Sequence, residues 1–103
     1  MYIVVFITTP NKKEAETITK DLLEEKLCAC INIVDKIKSF FWWEKKIDCA
    51  DECLLILKTK RSLFTKLIKR VKSLHSYQTP EIIALPIIRG NKDYLDWLDA
   101  VTR

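Results

Sequence analysis

Apolar side chains recur along this chain at two spacings, and the switch between them marks out the elements. Tyr2–Thr9 (YIVVFITT) is β-branched and aromatic and is bounded by Pro10 and Asn11. It predicts a strand. Ile3, Val5 and Ile7 line one face and Tyr2, Val4 and Phe6 the other, so the strand is buried on both sides and central in its sheet. The period then lengthens. Asn11 is placed to cap a helix from Lys12 to about Lys26, with a stripe of Ala15, Ile18 and Leu22 and with Leu23 beside it. Glu14 and Glu16 near its start and Lys26 near its end suit the helix dipole.

Alternation returns over Ala29–Trp43, which predicts one long strand. Ile31, Ile33, Ile37, Phe41 and Trp43 share a face on this reading, opposite a mixed face with Asn32, Lys36 and Lys38. Glu44–Ile47 is the expected turn, although it holds no Gly or Asn. A return strand follows from about Cys49 to Thr59, apolar on both faces over Cys53–Leu57. Ser62 is the expected cap of a second helix, Leu63–His75, with Phe64, Leu67, Ile68, Val71 and Leu74 as its buried stripe. Glu81–Ile87 predicts a last strand, at a sheet edge because of Pro86. Asn91 opens a short final helix carrying Tyr94, Leu95, Trp97 and Leu98.

The order β-α-β-β-α-β plus a terminal helix predicts an α+β, ferredoxin-like split βαβ arrangement in a single domain, residues 1–103. Both crossover helices then lie on one face of the sheet. Three of the strands are apolar on both faces, so the face without helices needs cover. Leaving it wet exposes more than the few hundred Å² that monomers tolerate. Burial against sister subunits recovers roughly 25 cal/mol per Å² of apolar area. An obligate homo-oligomer follows, with the Phe40–Trp43 end of the long hairpin reaching a neighbour.

Composition narrows the class. Of 103 residues, 49 % are hydrophobic and 31 % charged, which excludes a disordered or fibrous chain. One Gly in the whole sequence excludes a Gly-rich phosphate loop. The longest uncharged run, Met1–Asn11, is about half of the roughly 20 residues a membrane helix needs. It also lacks the flanks of a signal peptide. The expected setting is therefore soluble and cytoplasmic, with no membrane partner. Net charge is a mild +4, but Lys58, Lys60, Arg61, Lys66, Lys69, Arg70 and Lys72 fall in a stretch without any acid between Glu52 and Glu81. Such a run is either a solvated helix face or an anion-binding surface. Nucleic acid ranks last among its partners, because no base-reading motif accompanies the charge.

Few residues offer chemistry. His75 is the only histidine, at the end of the second helix. It is either a structural histidine or a metal ligand, and a Cu²⁺ or Zn²⁺ site wants further donors. Cys28, Cys30, Cys49 and Cys53 cannot share one site in the predicted hairpin. Cys49 would pair near Trp42 and Cys53 near Lys38, with Cys28 and Cys30 some eight to ten residues further along. A disulfide between Cys28 and Cys30 is too short for an extended strand. They read as free, half-buried thiols or as a thiolate pair for Cu(I). With a single His so late in the chain, no Ser/His/Asp order exists, and no enzyme activity is expected.

Several motifs stand together: EEKLCACIN (Glu24–Asn32), FFWWEKKI (Phe40–Ile47), LKTK (Leu57–Lys60), LHSYQTPEIIALPI (Leu74–Ile87) and GNKDYLDWL (Gly90–Leu98). Over nearly its whole length the chain resembles the CutA family of divalent-cation tolerance proteins. Lys45 stands where the family usually has Gly, and Ser76 where it usually has Pro. The resemblance implies a compact homotrimer with β-pairing between the long hairpins. It implies no obligatory cofactor, but weak binding of a divalent ion such as copper or zinc, for which His75, Cys28 and Cys30 are the candidate ligands. Lys58, Tyr77, Glu81 and Trp97 lie in the shared motifs and are candidates to line a cleft between subunits. The alternative function is a sensor like the PII signalling trimers, which bind small ligands in such clefts; here an anionic metabolite would be read out to a partner protein.

Overall fold

The computed structural model describes the whole chain, Met1–Arg103. It places strand β1 at Tyr2–Thr9, helix α1 at Lys12–Glu24, the long strands β2 at Cys30–Trp43 and β3 at Lys46–Lys60, helix α2 at Phe64–Leu74, strand β4 at Ile82–Pro86 and helix α3 at Lys92–Val101. The four strands form one sheet in the order β2-β3-β1-β4, with every neighbouring pair antiparallel. β1 and β3 are the two inner strands, which is why both are apolar on both faces. This is the predicted ferredoxin-like arrangement.

The core lies between the sheet and the helices α1 and α2. Ile3, Val5 and Ile7 of β1 meet Cys53, Leu55 and Leu57 of β3 on that face, under Ala15, Ile18 and Leu22 of α1 and Leu67 and Val71 of α2. α1 begins as expected, with the Asn11 side chain accepting from the Glu14 amide at 2.8 Å. It stops two residues early. The Leu27 amide donates to the Leu22 carbonyl and the Lys26 amide to the Leu23 carbonyl, both at 3.0 Å. That pair of bonds is a Schellman motif, and it requires a left-handed residue. Lys26 supplies it, at φ 56°.

Three expectations about the hairpin and α2 are corrected. β3 starts at Lys46, not Cys49, because the turn is only two residues long: Glu44 and Lys45, at φ 47° and 67°. Those angles make a type I′ turn from residues that rarely adopt it. Secondly, β2 is interrupted. Val34 pairs with Leu54 but Ile37 pairs with Glu52, so one extra residue sits in β2. Lys36, at φ 59°, forms this bulge, and the Asp35 carboxylate accepts its amide at 2.8 Å. Side chains swap faces past a bulge. Ile31 and Ile33 therefore face the core opposite Leu57 and Leu55, whereas Ile37 and Phe41 stand on the other face, opposite Glu52 and Asp48. Thirdly, Ser62 does not cap α2. β3 runs straight into a 3-10 turn at Arg61–Leu63, and no side chain caps the helix that follows.

Beyond the Thr9–Cys53 pair the hairpin has no β1 neighbour. It projects by seven residues of β3, about 23 Å at 3.3 Å per residue. The molecule measures 44 × 26 × 23 Å. Its surface is 7016 Å², against about 6,000 Å² for a compact monomer of 12.1 kDa. The excess of about 1,000 Å² is interface-sized, and the hairpin exposes large apolar side chains among its charged ones. Phe40 is 69 % exposed, Trp42 73 % and Ile47 66 %. On the sheet face away from α1 and α2, Val34, Ile83 and Leu85 are exposed and Val4, Phe6, Leu54 and Ile56 only half-buried.

Candidate functional site

The chemistry-bearing residues gather at two places rather than one. The first is at the C-terminal end of β1, where α2 stops. His75 caps α2 and is buried, its amide donating to the Val71 carbonyl at 2.8 Å. Both ring nitrogens are engaged. Nε2 donates to the Thr8 carbonyl at 2.7 Å, and Nδ1 accepts the Tyr77 amide at 3.0 Å. This pair of bonds assigns the neutral Nε2–H tautomer. Glu14 of α1 stands 3.3 Å from Nδ1 and accepts the Ser76 amide at 3.1 Å. The Tyr77 ring lies 4.8 Å from the imidazole, and its hydroxyl donates to buried Glu52 at 2.6 Å. Burial first, and then the Glu52 carboxylate, hold the Tyr77 phenol well above its ordinary value. The unit Glu14–His75–Tyr77–Glu52 thus ties α1, the loop after α2 and β3 together.

The second cluster lies toward the other end of β1, on the open face. Cys30 of β2 pairs with Lys58 of β3, whose ammonium lies 3.8 Å from the Cys30 sulfur and also donates to the Asn32 side chain. Tyr94 of α3 adjoins Cys30. Burial first, and then Cys30, raise the Tyr94 phenol. Trp97 packs on Tyr94, ring centroids 5.4 Å apart, and is 44 % exposed. A lysine, a thiol, an amide and two aromatic rings therefore border the uncovered sheet face.

The structure sorts the residues singled out from the sequence accordingly. His75 and Tyr77 are together; Lys58, Cys30 and Trp97 are together. Lys58 pairs with Val4 and Leu54 with Thr8, so the two clusters are four residues apart along β1, about 13 Å. Glu81 is exposed in the loop before β4 and joins neither. Cys28 is buried in the core at 2 % exposure, and burial, followed by Cys30, pushes its thiol up to about 12. The other two thiols sit elsewhere than expected. Cys49 pairs with Phe40 rather than near Trp42. Cys53 lies at the bulge rather than near Lys38, donating to the Asp35 carboxylate at 2.9 Å, and only five residues along β3 from Lys58. All four cysteines are free. Within the single chain no three His, Cys, Asp or Glu side chains are grouped to hold a metal ion. Sequence reasoning missed Glu14, Glu52, Asn32 and Tyr94. The alternation of Glu52 with Cys53–Leu57 was the only signal for a buried carboxylate there.

The model of the family "CutA1 divalent ion tolerance protein" matches residues 3–101. A protein of Archaeoglobus fulgidus named divalent-cation tolerance protein CutA is 52 % identical over 99 residues, 96 % of each chain. The protein of that name from Thermus thermophilus is 50 % identical over 95 residues, 92 % of each chain. Two solved structures superpose closely. The Thermus thermophilus divalent cation tolerance protein matches with TM-score 0.98 at 48 % identity over the full length of both chains. The Archaeoglobus fulgidus structure, described as a periplasmic divalent cation tolerance protein, matches with TM-score 0.96 at 51 % identity over 98 % of both. No helix of the present chain is long and apolar enough to cross a membrane.

Proposed function

Because the chain belongs to the CutA1 divalent ion tolerance family, we propose that it serves divalent-cation tolerance as a cytoplasmic homotrimer that binds copper or zinc ions weakly and catalyses no reaction. The carrying observation is the uncovered apolar sheet face continuing into the exposed hairpin. A chain with Ile83, Leu85, Phe41 and Trp43 exposed to water on this face is incomplete, and copies packed through it bury them. Assembly also bears on the metal. One chain groups no three donors, and neighbouring copies could bring donors of different subunits together. Cys30 is the accessible thiol among the candidate ligands. Cys28 and His75 reach an ion only if the core opens or the Tyr77 and Thr8 bonds to the imidazole break. The four free thiols favour a reducing compartment.

Two measurements test this. Sedimentation equilibrium at micromolar concentration should give three times the 12.1 kDa chain mass, and a folded monomer there would refute the assembly. Titration calorimetry with Zn²⁺ should show weak binding that is lost in Cys30→Ser and retained in His75→Ala. No heat from the intact trimer would refute direct binding. The alternative reading, an anionic ligand in a cleft between subunits, draws its support from Lys58, whose ammonium borders the same face. It predicts metal-independent thermal stabilisation by small anions that Lys58→Ala abolishes.

A further inference from the structure

A different feature lies on the helical layer. Between the end of α1, the length of α2 and the residues after α3 is a depression of about 320 Å³, with Leu27 at its base. Lys66, Lys69, Arg70 and Arg103 surround it, with Glu25 as the one acidic side chain on its wall. α2 is the helix with no acidic residue, inside the acid-free stretch from Cys53 to Pro80. Its cations are not equivalent. Arg70 is anchored by Asp21 of α1, Nε at 2.7 Å and Nη2 at 2.6 Å, which leaves Nη1 free. Arg103 reaches Glu25 at 3.7 Å. Lys66 and Lys69 have no carboxylate within ion-pair distance. The arrangement is one anchored guanidinium group, Arg70, with Arg103 paired to Glu25 and two uncompensated ammonium groups alongside, around a hollow with an apolar base.

We propose that this depression binds the polyphosphate group of a small molecule, one per chain. The physical case rests on three features. Arg held by a carboxylate has its fork already ordered, so less freedom is lost when its remaining N–H meets an oxyanion. A concave wall with an excess of positive charge, four cations against Glu25, focuses the field more than a flat patch does. The hollow is open, so each exposed contact is weak and screened. A singly or doubly charged ion gains little there, whereas a chain of phosphates meets several cations at once. The volume suits a di- or triphosphate and is too small to enclose a folded partner's surface. The site lies on the helical layer, away from the open sheet face, so assembly through that face leaves it accessible. It is separate from Lys58 and from the metal reading, and stands or falls without either.

The experiment is calorimetry on the full-length assembled protein in metal-free buffer, with inorganic tripolyphosphate as probe. One tripolyphosphate should bind per chain at low salt, and affinity should fall by about tenfold or more between about 20 and 200 mM salt. Lys66→Ala/Lys69→Ala should weaken it by about tenfold or more, with an unchanged circular dichroism melt because both side chains are exposed. Orthophosphate should bind at least about tenfold more weakly than tripolyphosphate. Lys58→Ala should bind as the parent does. Absence of saturable binding at low salt, an unaffected double variant, or loss of binding in Lys58→Ala would overturn the proposal. So would a single-stranded oligonucleotide that displaces tripolyphosphate and binds more tightly with length, since that would make the surface one for nucleic acid.

Discussion

Lys26→Gly should stabilise the protein. Lys26 ends α1 at φ 56°, held there by the two bonds of the Schellman motif and by its own carbonyl, which accepts the Arg103 amide at 3.2 Å. All three bonds are backbone bonds and survive the substitution. The side chain is exposed and makes no ion pair, so little is lost with it. The gain is steric: a Cβ in the left-handed region costs roughly 1–2 kcal/mol. Against this, Gly loses more chain entropy on folding, by about 0.5–1 kcal/mol. The difference is a net gain of about 0.5–1 kcal/mol per chain.

At the usual slope for a domain near 100 residues, that raises Tm by about 2–8 °C. The assay is denaturant and thermal unfolding of parent and variant at one matched protein concentration, because the proposed assembly would make both midpoints concentration-dependent. Lys26→Ala is the control. It removes the long side chain yet keeps the Cβ, so it should stay within about 0.5 kcal/mol of the parent. A Gly variant no more stable than the parent would refute the reasoning. An Ala variant matching the Gly variant would do so too, by tracing the effect to the lysine side chain instead of the backbone.

Lys45→Gly in the type I′ turn (φ 67°) should stabilise by a similar amount, about 0.5–1 kcal/mol, and Lys46→Gly, one residue into β3, should destabilise instead; parallel urea titrations compare them. Tyr77→Phe should cost about 1–3 kcal/mol by leaving the buried Glu52 carboxylate without its donor. Because the Tyr77 phenol is raised in the fold, its contribution is complete below the unfolded value near 10.0 and is lost as pH rises above it. The parent should therefore weaken more than Tyr77→Phe between pH 10 and 11 in stability measurements. Asp21 is shifted the other way, lowered first by the hydrogen bond from Arg70, so its contribution is present above the ordinary value of 3.8 and is lost as pH falls below it. Asp21→Asn should lose about 0.5–1 kcal/mol at neutral pH and show a shallower decline in acid, read from denaturant midpoints.

The parts of the fold that the residue pattern made plain are those where burial decides. β1 reads as central because both its alternations are apolar, and β3 places its Cys53–Leu57 run beside it for the same reason. Local backbone devices were not legible, because each uses an unusual residue. Lys26, Lys36, Glu44 and Lys45 all adopt left-handed angles where Gly or Asn is the ordinary choice. A sequence with one glycine hides its turns and bulges. The bulge had the largest consequence, since one uncounted residue at Lys36 moved Ile37, Phe41 and Trp43 to the opposite face. Ser62 misled for a related reason: the extended residue before the 3-10 turn is Lys60, whose side chain has no acceptor, and the residue before α2, Leu63, is already in the right-handed helical region.

The candidate site was legible as a set of residues and illegible as a geometry, and the topology explains why. His75 and Lys58 are 17 positions apart in sequence, and both border the same short sheet. β3 carries Lys58 along the open face, whereas α2 returns the chain over the helical face and delivers His75 to the far end of β1. No periodicity encodes that division. It has a functional consequence. His75, bonded at both nitrogens and backed by Glu14 and Tyr77, is set as a structural joint, while Cys30 and Lys58 stand beside the exposed apolar strands that the proposed trimer would cover. On the proposed assembly, chemistry that needs accessible groups is therefore concentrated where copies would meet. Ile83→Lys, which disrupts the open face without touching a donor, should for that reason abolish Zn²⁺ binding together with trimer formation, and metal binding by the resulting monomer at parental strength would place the site in the single chain and refute the link.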